Sequence, residues 1–113
     1  MTVYHKELAS GRWFQLSLAE QMANIGSEVH RAITWYLKKD DRFQNAFERA
    51  LELFDLTLDD KRWKGRYKEI CISREYFCSL ILESKSYDNP EKELTSIDNY
   101  FLQFAYLVRN RKP

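Results

Sequence analysis

The sequence predicts an all-α protein folded as an antiparallel up-down-up-down four-helix bundle. Three observations carry this expectation. Apolar side chains recur at spacings of three and four residues through four successive segments, the pattern of helices with one broad apolar face. The chain holds only three Gly and two Pro among 113 residues, too few turn formers for a many-stranded sandwich or barrel. The connections are mostly short and polar, which sets successive helices antiparallel. One domain is expected at this length. It divides into a polar arm over 1–12, the bundle over 13–108 and a basic tail over 109–113.

The first helix is expected over about 13–38. Ala19, Met22, Gly26, Val29, Ile33 and Tyr36 form its stripe, and Leu18, Ile25 and Ala32 form a second stripe beside it. Gly26 costs helix propensity, roughly 1 kcal/mol against Ala. On the apolar face it marks either the close approach of another helix or a glycine that is merely tolerated. The second helix, about 42–58, is capped by Asp40 or Asp41 and carries Phe43, Phe47, Ala50, Phe54 and Thr57 inward. The third, about 61–83, starts at the Asp59-Asp60 cap and presents Trp63, Tyr67, Ile70, Phe77 and Ile81, with Cys71 and Cys78 alongside. Asn89-Pro90 punctuates the one long loop. The fourth, about 94–108, presents Leu94, Ile97, Phe101, Phe104 and Val108.

The core consumes most of the residues that chemistry would need. His5 and His30 are the two histidines, and neither completes the Glu-x-x-His pairs of a bundle-borne di-metal site. Cys71 and Cys78 lie about 10.5 Å apart along one helix, too far to bridge, and buried free thiols fit a reducing cytoplasm. No Gly-rich phosphate loop, HExxH, CxxC or serine elbow is present. No catalytic residue, metal, cofactor or small-molecule substrate is therefore expected. No apolar run reaches the length of a membrane span.

Three surfaces carry the functional expectations. Arg74 interrupts the third stripe, and a buried guanidinium demands partners. Glu20, Glu28 and Asp55 are candidates to form a polar seam with it; a snorkelling arginine at the stripe edge is the simpler alternative. A polar pocket there is also what a small enzyme would need. The second stripe of the first helix, Leu18, Ile25 and Ala32, gives more apolar area than a monomer needs. With Trp35 and Tyr36 it is a candidate oligomer interface. Finally, antiparallel packing gathers Lys61, Arg62, Lys64, Arg66, Lys68, Arg109, Arg111 and Lys112 at one end of a chain whose formal charge is only +1. That end, with Trp13, Trp63 and Tyr67 nearby, can hold RNA or DNA through phosphates and stacking, contact an acidic protein, or simply stay solvated.

The segment Arg49-Ala50-Leu51-Glu52-Leu53-Phe54-Asp55-Leu56-Thr57, within four amphipathic helices, resembles a bacterial four-helix-bundle family. That family includes proteins encoded in intervening sequences of 23S ribosomal RNA genes and the accessory variability determinants of diversity-generating retroelements. The resemblance implies a non-enzymatic homo-oligomer that works with nucleic acid or with a polymerase such as a reverse transcriptase. It points to the basic residues at 61–68 and 109–112 as the contact. The near-neutral charge departs from the family pattern. The reading is a non-enzymatic, oligomeric helical-bundle adaptor for a macromolecular partner, with an RNA- or DNA-binding accessory protein as the alternative.

Overall fold

The computed structural model describes residues 5–110, with Glu7 and Leu8 by backbone alone. A short helix, α1 (Lys6–Ala9), precedes four long ones: α2 (Leu18–Leu37), α3 (Arg42–Leu58), α4 (Tyr67–Leu82) and α5 (Pro90–Asn110). No strand occurs among the described residues. The fold is the all-α four-helix bundle that the stripes predict.

Local chemistry sets the helix boundaries. The expected first helix is broken at Ser17, which accepts a hydrogen bond from the Glu20 amide at 3.1 Å while its own amide donates to the Glu20 carboxylate at 2.9 Å. This capping box satisfies two amides that a helix start would otherwise orphan. Upstream of it, Arg12–Gln15 form a 3-10 turn led in by Gly11 at φ 136°, a left-handed region that favours glycine. The expected third helix is also shortened. The Asp60 side chain accepts from the Arg62 amide, residues Lys61–Arg66 turn as a 3-10 helix with Trp63 off helical geometry, and α4 begins only at Tyr67. The last helix starts earlier than expected because Pro90 needs no amide partner at its first position and Asn89 accepts from the Lys92 amide.

Around the bundle the order is α2, α3, α4, α5, with α5 closing against α2. Cross-helix pairs fix the directions. His30 meets Asp98 and Gly26 meets Phe101 between α2 and α5, while Tyr100 meets Glu69 and Tyr76 meets Glu93 between α5 and α4. In each set one residue number rises as the other falls, so neighbours are antiparallel. The starts of α2 and α4 therefore share one end with the last turns of α3 and α5.

Phe54 sits at the centre, fully buried, with Phe77 at 6.4 Å and Phe101 edge-on at 5.9 Å between ring centroids. Met22, Ile25, Val29, Ile70, Leu80 and Leu94 pack around these rings. Two expectations need correction here. Ile25 and Ala32 are completely buried, because α2 is flanked by both α3 and α5 and needs a wide apolar arc. Ser73, rather than Arg74, holds the inward position on α4, with its hydroxyl donating to the Ile70 carbonyl at 2.9 Å. Ile70, Ser73 and Phe77 share one buried line, and Arg74 lies at its edge.

Candidate functional site

The basic end is organised by a buried polar network. Gln21 on α2 is fully buried. Its amide nitrogen donates to the Trp13 carbonyl at 3.0 Å and to the Asp60 carboxylate at 2.9 Å, and its oxygen accepts from the Trp63 indole at 2.9 Å. Two acceptors on one side and one donor on the other fix which way the amide points. The Trp13 indole donates to Thr57 at 3.0 Å, and the Tyr67 hydroxyl donates to the Asp60 carbonyl at 3.1 Å. Arg62 grips the Asp60 carboxylate, donates to the Leu16 carbonyl at 2.7 Å, and lies 4.4 Å over the Trp63 ring. That guanidinium holds the Asp60 carboxyl below its usual range, with Gln21 adding to the effect and burial opposing it.

This network divides the expected basic residues. Arg62 is tied to Asp60, and Arg66 is tied to Glu69 at 2.7 Å. Lys61, Lys64 and Lys68 are exposed. Arg109 is exposed and lies 5.1 Å over the Tyr106 ring. Arg111 and Lys112 lie outside the described residues. Trp13 is fully buried and offers no face for a base to stack on, contrary to the stacking expectation. Trp63 is half-buried, with Arg62 across its ring.

The polar-seam residues do not form one cluster. Arg74 donates to Asp55 at 3.0 Å across α4 and α3, with Arg74 30% and Asp55 59% exposed. Glu28 is instead shared by Arg31 at 3.0 Å and Arg49 at 3.2 Å, and Glu20 caps α2. The expected seam is thus three separate devices, because Arg74 lies at a surface edge where one nearby carboxylate suffices. Arg74, Asp55, Glu28 and Glu20 line neither the groove between α2 and α5 nor the one between α4 and α5. Among the described residues no group of three or more His, Cys, Asp or Glu side chains is placed to hold a metal. No helix among them is long and apolar enough to cross a membrane. Cys71 and Cys78 are unpaired and half-buried, and burial pushes the Cys78 thiol up.

The expected interface on the first helix is likewise redistributed. With Ile25 and Ala32 inside, Leu18 packs against the core. Tyr36 sits edge-on to Phe43 at 5.5 Å, and Arg42 covers the Trp35 ring at 3.8 Å. Among the described residues the large exposed apolar side chains are Leu37 at the end of α2, Ile72 and Leu82 on α4, and Leu102, Tyr106 and Leu107 on α5. Ile72 and Leu102 border grooves, and the buried residues of α5 are Leu94, Ile97 and Phe101.

A groove of about 570 Å³ runs between α4 and α5, lined by Ile72, Ser73, Tyr76, Ile97 and Tyr100, with Arg66, Lys68 and Glu69 at one end. Two reciprocal tyrosine bridges join the helices on either side of it. Tyr100 on α5 donates to Glu69 on α4 at 2.8 Å, and Tyr76 on α4 donates to Glu93 on α5. Burial, reinforced by the Glu93 carboxylate, pushes Tyr76 up to about 12. Burial and Glu69 push Tyr100 in the same direction. Arg66, and then Tyr100, hold Glu69 below the usual carboxylate range. The small side chain of Ser73 leaves the space that a larger core residue would fill.

No protein-family model, no curated protein and no solved structure matches this chain.

Proposed function

We propose that this chain is a non-enzymatic, self-associating helical-bundle adaptor that holds a protein partner in the α4–α5 groove. One observation carries the reading: Ile72 is 55% exposed on the wall of a concave apolar groove that ends at exposed Lys68. A partner helix whose apolar side carries a flanking carboxylate fits that chemistry, since apolar anchors supply affinity and the charge supplies register. A polymerase is the kind of partner that the likeness of residues 49–57 to the ribosomal intervening-sequence and accessory-determinant family implies. A second reading, an RNA- or DNA-binding accessory protein, draws support from exposed Lys61, Lys64 and Lys68 at one end.

A photo-crosslinking residue placed at position 72 of the whole chain in its native cells tests the proposal, with Lys92 as the control position. A discrete protein adduct from position 72, lost on Lys68→Glu and absent from position 92, is the expected result. Equal adducts from both positions would remove the proposal. Adducts that contain only nucleic acid would replace it with the second reading.

A further inference from the structure

α5 carries a line of residues on its outer side that is complementary to itself. Asp98, Leu102, Ala105 and Arg109 are spaced four, three and four apart and so lie along one helix line. Leu102 is 46% exposed, and Ala105 and Arg109 are exposed. Beside this line, a shallow groove of about 360 Å³ runs between α5 and α2, with Ala23, Ser27 and Ala105 on its walls and Leu102 at its rim. The line has a carboxylate at one end, a guanidinium at the other, and one large and one small apolar residue between them.

We propose that a second copy of this chain occupies that face, by antiparallel pairing of α5 with α5 about a two-fold axis between Gln103 and Phe104. In this register Leu102 meets the second copy's Ala105, so a large side chain faces a small one and projects into the groove. Asp98 meets the second copy's Arg109. Symmetry makes each contact twice, as an isologous interface requires. Shifting the pairing so that Asp98 faces Leu102 would take a carboxylate out of water against hydrocarbon, which disfavours that register. His30, which lies 2.8 Å from Asp98, steadies the carboxylate from the α2 side. The inference rests on the self-associating part of the adaptor reading and names the surface responsible. It is separate from the α4–α5 groove.

Sedimentation of the purified whole chain over a range of concentrations tests it. A reversible monomer–dimer equilibrium is expected. Asp98→Arg and Arg109→Asp each set like charges together and weaken the dimer by at least about tenfold, the effect of roughly 1.4 kcal/mol. The charge-swapped double variant restores dimerisation. Mixing the two single variants gives a heterodimer, because both cross-pairs are then complementary. Helical content by circular dichroism confirms that each variant remains folded. A monomer at every concentration, a ring of higher order, or single variants that dimerise like the parent chain would overturn the proposal. The Ile72 adduct distinguishes the two readings: if it persists while the dimer fails, the partner groove stands and only this interface is lost.

Discussion

A Cβ built on Gly26 of α2 would stand 2.7 Å from the Cβ of Phe101 on α5. That distance lies inside ordinary contact, and the obstructing atom is fixed to the α5 backbone rather than being the tip of a flexible side chain. Gly26 therefore sets how closely the two helices approach, and the approach seats Phe101 against Phe54 in the core. Gly26→Ala gains about 1 kcal/mol of helix propensity but forces the helices apart, and overpacking of this kind costs about 1–3 kcal/mol. Net destabilisation in urea unfolding is expected. Gly65→Ala is the control. Nothing lies within 4 Å of a Cβ at that position, so the substitution should be neutral or stabilising by up to about 1 kcal/mol. Equal effects at the two sites would contradict the close-approach account.

Much of this architecture was legible because helical stripes need burial and short turns need antiparallel neighbours. Gly26 could be read as a close approach because it sat on an apolar line. What could not be read was where the first, third and fourth helices start. Residues 61–66 have helical spacing, yet Asp60 and Trp63 are drawn to Gln21 across the chain. That long-range network accompanies the 3-10 turn over 61–66. On α4 the line through Ile70 and Phe77 can pass through Ser73 or Arg74, three and four residues on from Ile70, and packing places Ser73 inside. Similarly, Leu18, Ile25 and Ala32 looked surplus only because the width of the arc α2 buries depends on its having two neighbours. The Ser17-Glu20 capping box was a local signal, readable in principle from the Ser-x-x-Glu spacing. The α4–α5 groove depends on which helices adjoin, and a single sequence does not encode that locally.

The Gln21 network predicts both a stability loss and an acid response. Gln21→Met keeps the side-chain volume but strands the Trp63 indole and takes one hydrogen bond from the Asp60 carboxylate, which Arg62 still holds. The stranded indole costs about 1–3 kcal/mol, visible as a lower urea midpoint with an unchanged slope. The Asp60 pKa is lowered on folding. Its contribution is therefore present above the unfolded value of 3.8 and is lost as pH falls through the still lower folded value. Asp60→Asn should weaken the protein near neutrality, and the gap from the parent chain should close as pH drops below about 4. A gap that stayed constant down to low pH would mean that the Asp60 charge contributes nothing to folding.

The two tyrosine bridges predict the opposite response at high pH. A tyrosine whose pKa is raised on folding stabilises below its unfolded value, and that contribution disappears as pH rises through the folded value. For Tyr76 the interval runs from 10.0 to about 12. Unfolding monitored between those limits should show stability falling in the parent chain. Tyr76→Phe should flatten part of that fall, and adding Tyr100→Phe should flatten more of it. An unchanged alkaline limb in the double variant would show that the bridges do not couple to folding.

Arg74 supplies the last prediction, because its place in the stripe and its place in the structure imply different energies. A guanidinium buried in the core and deprived of its partner would cost several kcal/mol, roughly 3–5. The observed pair with Asp55 is open to solvent, at 30% and 59% exposure. Exposed pairs are worth about 0–1 kcal/mol, since water and salt screen them and two side chains must be held still. Arg74→Met retains the aliphatic stem that covers the α4 edge. It should therefore change stability by less than about 1 kcal/mol, and the difference should shrink further as salt is added. A loss of about 3 kcal/mol or more that persists at high salt would restore the buried-seam reading and place Arg74 inside the core.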